Sequence, residues 1–219
     1  MTVQAEGMYL NEVLKWELEN NQSREIVTIK AGKALKMGAV LGKITIVSPI
    51  PTTGTAGTNT GNGTCTAVTR GDKTRAGIYT LTCKTKVAGA GVFAVQTPTG
   101  ATLADATVAV AYVSDHINFT LNDGTPDFEV GDKFTVTVAA GTGAVIEYTP
   151  GATDGSQVAY GVLIADADTA SVSLDGVAIV RDSQVVADNL VFGDAVTAGQ
   201  IATAIVTLYD KGIVTREQA

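Results

Sequence analysis

The chain changes style twice, and those two breaks constrain its fold more than any single residue does. Up to about Pro49 the sequence is of mixed character. From there to about Tyr148 it is rich in Gly and Thr and carries short alternating apolar stretches. Around Tyr148 the earlier style returns, closing on an amphipathic helical pattern at Thr197–Lys211. This is the layout of one domain opened at a loop to admit another. Insertions succeed at exposed loop tips whose ends lie close together, and 219 residues are enough for two compact domains.

The middle block reads as short strands at regular spacing: Ala67–Thr69, Gly77–Cys83, Gly91–Val95, Ala106–Val113, His116–Leu121 and Lys133–Val138. In His116–Leu121, Ile117, Phe119 and Leu121 fall on one face, and Asn122-Asp123-Gly124 supplies a turn. Such a series packs as a small β-sandwich or β-barrel. The run Ser48–Gly63, dense in Gly, Pro, Asn and Thr without periodicity, reads as an exposed linker. Ala139–Gly143 reads as the matching flexible junction.

The outer segments predict strands at Ile26–Ile29, Val40–Val47, Val145–Tyr148 and Ala159–Ile164. A hairpin is expected from Ser171–Leu174 to Val177–Val180 about an Asp175-Gly176 turn. Thr197 with Gln200 has capping-box spacing, Ile201, Ile205 and Leu208 share one helix face, and Gly212 is a natural stop. One short helix with a single apolar stripe needs a sheet to cover it, which makes the outer unit α+β. Residues 1–25 carry few strand signals. They admit a helix over Asn11–Asn20 or, in preference, an arm that orders on a partner.

Apolar residues make up 45% of the chain but aromatics only 5%, so the cores must be built chiefly from Val, Ala, Ile and Leu. The net charge of −7 and the lack of Lys/Arg clusters disfavour nucleic-acid binding. The longest apolar stretches, such as Val158–Ala165, are too short to cross a bilayer. The start, Met1–Trp16, lacks a basic region followed by an apolar run, so cytosolic synthesis is expected.

No catalytic constellation emerges. His116 is the single histidine and stands beside Asp115 at the start of a strand, a surface position rather than an acid/base pair. Asp166 and Asp168 lack a nearby third ligand and read as a strand-end turn. Asn122–Asp127 has too few oxygen ligands for a calcium loop. The Gly-rich stretches lack the order of phosphate-binding loops. Cys65 and Cys83 flank a hairpin in this reading. Their candidate roles are small core residues, a disulfide, or metal binding, with the first preferred because two cysteines are no framework.

Several outer motifs nevertheless recur in a known pattern. They are Val40-Leu41-Gly42-Lys43, Asp154-Gly155-Ser156-Gln157, Gly161–Asp168, Val185–Phe192 and Leu208–Val214. With the middle block removed, their order and spacing resemble the head decoration protein family of tailed bacteriophages. The resemblance implies a mainly β fold, an α+β decoration barrel with a short C-terminal helix, here carrying the inserted β domain. It divides the chain into an N-terminal capsid-binding arm at 1–25, a discontinuous head-decoration domain at 26–50 and 145–219, and the insert at 51–144. It further implies a non-enzymatic cement protein without cofactors. Such proteins sit as homotrimers on the outer surface of the expanded capsid and clamp major capsid protein subunits together. The arm's anchors are then Tyr9, Leu10, Leu14 and Trp16, aromatics being frequent interface anchors. On this reading, removing residues 1–18 leaves a folded protein that no longer binds shells. The alternative is a host-surface or glycan-binding module displayed through the insert.

Overall fold

The computed structural model describes residues 8–217. The chain divides into two compact units, one formed by the segments up to Ile44 and from Thr142 onward, the other by Thr45–Gly141. Mainly β structure prevails in both.

The first unit is built on a closed barrel of Val145–Glu147, Arg24–Ile29, Leu174–Ile179, Ala159–Leu163 and Val40–Lys43. Closure is made by the parallel register Val145↔Ile29, extended by Lys30 N donating to Val145 O at 3.0 Å. Val27, Ile29, Leu41, Val145, Leu163 and Ala178 are buried in one apolar cluster. Val40, Ala159, Val162 and Ile179 belong to a second cluster with Leu208 and Ala204 of the helix Ala198–Tyr209. Strands buried on both faces explain the unbroken apolar runs at Val40-Leu41 and Val162–Ile164, where simple alternation fails. The helix starts as its sequence dictates: Thr197 Oγ1 accepts from Gln200 N, and Thr197 N donates to Gln200 Oε1 at 2.9 Å. A three-stranded sheet, Leu14–Glu17, Ser183–Val186 and Ile213–Arg216, completes the unit.

The expected Asp175-Gly176 turn does not form. Leu174–Ile179 is one continuous strand, with Gly176 paired opposite Val27. Gly176 packs there rather than turning: a Cβ would lie 2.7 Å from Ile29 Cδ1, so the Ile29 side chain fills the space beside it. The strand expected at Val40–Val47 stops at Lys43, and Ile46 is buried in the core of the second unit.

That second unit is a sandwich. One sheet runs in the order Thr55–Ala56, Lys133–Val138, Gly77–Thr85, Val92–Gln96 and Ala106–Thr107. The other runs Ala111–Tyr112, Ile117–Asn122 and Thr64–Arg70. Alternation works as read: Tyr79, Leu81 and Cys83 from one sheet, and Ile117, Phe119 and Leu121 from the other, are buried in one core. Phe93, Phe128 and Phe134 pack edge-on or tilted within it, and Tyr112 stacks on Phe119 at 4.6 Å.

The single strand expected at Ala106–Val113 is divided between the two sheets. The chain crosses over at Ala109, whose φ is +62° and whose N–H donates to Leu121 O at 2.7 Å. The segment Ser48–Gly63 is not a free linker either. Thr55–Ala56 pairs with Phe134 and Thr135, and the side-chain amide of Asn59 both donates to Lys133 O and accepts from Lys133 N. The buried Asp132 carboxylate takes N–H bonds from Thr60 at 2.9 Å, Gly61 at 2.9 Å and Glu129 at 3.0 Å. Composition had suggested a solvated segment; captured backbone donors tie it down.

Candidate functional site

The N-terminal segment is held by its own backbone and by one buried side chain. Leu10–Val13 forms a single helical turn, started by Tyr9 N donating to Glu12 Oε2 at 2.7 Å. Asn189 Nδ2 donates to Glu12 O at 2.8 Å and fastens this turn to the segment Ala187–Asn189. Val13 is fully buried, in the cluster shared with the C-terminal helix. The close approach needs Gly38: at φ +86°, a Cβ there would meet Asn189 O at 2.3 Å.

The strand Leu14–Glu17 then pairs with Ser183–Val186, its register shifting between Leu14 and Trp16. It is the outer strand of its sheet and has no partner on its other side among the described residues. Leu18 N donates to Asp182 O. The Arg24 guanidinium grips Glu17 with two bonds, Nε to Oε2 at 2.9 Å and Nη2 to Oε1 at 2.6 Å. The Glu17 hydrogen bond raises the Arg24 pKa above its ordinary value, against partial burial. The alternative of one helix over Asn11–Asn20 does not hold: a strand, Leu14–Glu17, stands between two short helical turns. Residues 1–7 of the expected arm lie outside the described residues.

The four expected anchors separate into two kinds. Tyr9 and Trp16 are 59% and 50% exposed, whereas Leu10 and Leu14 are half-buried and pack on the core. Leu10, Leu14 and Trp16 line an open surface groove of about 400 Å³, together with Asn11, Lys15, Glu17 and Arg24. Met8 and Leu18, at 38% and 39% exposure, extend the apolar character at either end of the segment. The family resemblance and the residue types point to these four positions; their exposure separates the aromatics from the leucines. The Glu17–Arg24 clamp gave no signal beyond two opposite charges seven positions apart.

The remaining candidates are dispersed. Asp115 faces Lys73 at 2.9 Å, and that bond holds its carboxyl below the usual range. His116 Nδ1 lies 3.3 Å from the Tyr79 hydroxyl, which accepts from Arg75 N. Asp166 accepts from Lys36 Nζ and Met37 N, both at 2.8 Å, while Asp168 accepts from Ala170 N. Asp166 and Asp168 thus serve separate backbone turns. Among the described residues, no group of three or more His, Cys, Asp or Glu converges on a metal-sized site.

Cys65 and Cys83 are free and buried in strands of opposite sheets, not across a hairpin. Burial pushes the Cys65 thiol up to about 11 and also raises Cys83, so both are held as unreactive thiols. The insert's aromatics Tyr79, Phe93, Tyr112, Phe119, Phe128 and Phe134 are all buried and present no stacking platform. No helix among the described residues is long and apolar enough to cross a membrane.

Among solved structures, the chain is similar to FlgL of Xanthomonas campestris, with 15% identity and a TM-score of 0.32. That match covers 48% of this chain and only 33% of the other, a likeness too slight to bear on fold or function. No curated protein matches. The family model described as bacteriophage lambda head decoration protein D matches residues 3–213, nearly the whole length, and the chain belongs to that family of phage head decoration proteins.

Proposed function

We propose that this chain is a cement protein that binds as a homotrimer to the outer surface of the expanded phage head and staples major capsid protein subunits together. Family membership supports a role on the capsid. The observation that carries the contact is the exposed pair Tyr9 and Trp16, set on a segment that Val13, Asn189 and Arg24 hold against the barrel. Held aromatics bind without the full ordering cost of a free arm, because their backbone is already in place.

The edge of Leu14–Glu17, unpaired among the described residues, offers backbone donors and acceptors to an extended capsid segment, while the adjacent groove takes its side chains. A standard protein contact buries about 1,600 Å² in total. Repetition around a three-fold axis multiplies it, and a protein that binds only the expanded shell stabilises that state by mass action.

The test is loading onto expanded, undecorated heads. Removing residues 1–18 is the wrong perturbation, since it takes away the buried Val13 and an entire strand. Tyr9→Ala with Trp16→Ala removes exposed surface and leaves the fold intact. We expect the wild type to appear as three-fold density on heads and the double variant to lose occupancy. Equal loading by a folded double variant would sink the assigned contact; sedimentation of a bound species other than a trimer would sink the stoichiometry.

A further inference from the structure

On the barrel, a knot of charge gathers around Tyr160 that involves none of the residues lining the groove. Lys43 Nζ donates to the Tyr160 hydroxyl at 3.2 Å, and that hydroxyl donates to Glu25 Oε1 at 2.8 Å. Lys43 Nζ and Lys211 Nζ lie 4.6 Å and 4.9 Å from the centroid of the same ring. Arg181 Nη2 reaches Glu25 Oε2 at 3.4 Å, while its Nη1 is committed to Gln22 O at 2.6 Å.

Lys43 and Arg181 share the carboxylate of Glu25, and Lys211 joins them over the Tyr160 ring, so three positive charges stand against one negative in the cluster, on a chain of net charge −7. Among the described residues no carboxylate lies within ion-pair distance of the half-buried Lys211. Burial, then repulsion from Lys43 and Arg181, lowers its pKa against the pull of Glu25. The face of an aromatic ring holds a cation, but it does not neutralise two that repel each other. A tight cationic group with incomplete counter-charge favours an incoming anion.

We propose that Lys43, Arg181 and Lys211 receive a carboxylate side chain of the major capsid protein, a second contact alongside the Tyr9/Trp16 surface. A monoanion fits better than a phosphate. Glu25 already stands inside the cluster and repels a dianion more strongly, and Arg181 already gives Nη1 to Gln22 O and Nη2 to Glu25. This inference rests on the capsid-binding reading.

The experiment uses Lys211→Met and, as a second variant, Lys43→Met. Each keeps an apolar stem beside the Tyr160 ring and removes the charge. Loading of expanded, undecorated heads is measured across salt concentrations, with thermal melting of the free proteins alongside. At low salt each variant is expected to need about tenfold more protein for half-occupancy, as befits loss of one charge-assisted bond. The gap should close as salt rises. Free Lys211→Met should melt no lower than wild type, because a repulsive charge has been relieved.

Unchanged loading at every salt overturns the inference, and so does a lower melting temperature with unchanged loading, which marks a purely structural cluster. Retardation of duplex DNA by wild type but not by the variants would reassign the cluster to phosphate and overturn it. Wild type that fails to load heads at all removes the capsid-binding reading and this inference together, whereas the other outcomes leave that reading standing.

Discussion

Asp132→Asn isolates what ties the segment before Gly63 into the second unit. In the native protein, Asp132 Oδ1 accepts from Thr60 N, and Oδ2 accepts from both Gly61 N and Glu129 N. An asparagine amide keeps one oxygen and turns the other into a donor. Whichever way it lies, at least one N–H that the carboxylate satisfies is orphaned and the surviving bonds lose their charge. An orphaned donor costs about 1–3 kcal/mol, and weakening a charge-assisted bond to a neutral one costs about 1 kcal/mol more. The sum is about 3 kcal/mol, on the order of a hundredfold in the population of the opened state.

Cys65 and Cys83 report that opening directly, because both are buried in this unit and are the chain's only cysteines. Thiol labelling under native conditions, with closing faster than labelling, should run on the order of a hundredfold faster in the variant. Trp16, the single tryptophan, lies in the first unit and should show no change in its unfolding transition. A labelling rate within about threefold of wild type would refute the reasoning, because the carboxylate would then contribute less than about 1 kcal/mol.

The pH dependence carries its own sign. Burial raises the Asp132 pKa, but bonds from Glu129, Thr60 and Gly61 outweigh it and the group titrates below its ordinary value. Its stabilisation is therefore complete above the unfolded carboxylate pKa of about 4 and is lost as pH falls through the lower folded value. The wild-type unit's stability against denaturant should fall in that acid window, and the asparagine variant should lack this increment.

Gly38→Ala should destabilise the first unit by about 3 kcal/mol, since a Cβ at φ +86° would sit 2.3 Å from Asn189 O; denaturant unfolding followed by Trp16 fluorescence reads it. Thr197→Ala removes the cap of the C-terminal helix and should cost about 1 kcal/mol in the same assay, without altering the slope against denaturant. Trp16→Ala alone should leave that unit's melting temperature unchanged, as the ring is half-exposed, yet weaken head binding about thirtyfold if it anchors the contact.

Local patterns in the sequence carried a good deal of this structure. Thr197 and Gln200 mark the helix start because a capping box needs only neighbours. Ile117, Phe119 and Leu121 declare a strand face by their own alternation. The order of the outer motifs was enough to reach the family, later matched over residues 3–213. Tertiary contacts decided the rest. Gly176 looks like a turn residue until Ile29 is seen packing where its side chain would be, and the Gly-rich run before Gly63 looks solvated until Asp132 captures its amides. Val13, placed in a segment read as an arm, is core because Gly38 lets the backbone at Asn189 approach. The charges around Tyr160 come from positions 25 to 211, a distance along the chain that no local pattern can bridge. Periodicity and capping depend on residues a few positions apart and can be read directly; burial, charge balance and close backbone approach depend on which distant segments meet, and only the folded chain determines that.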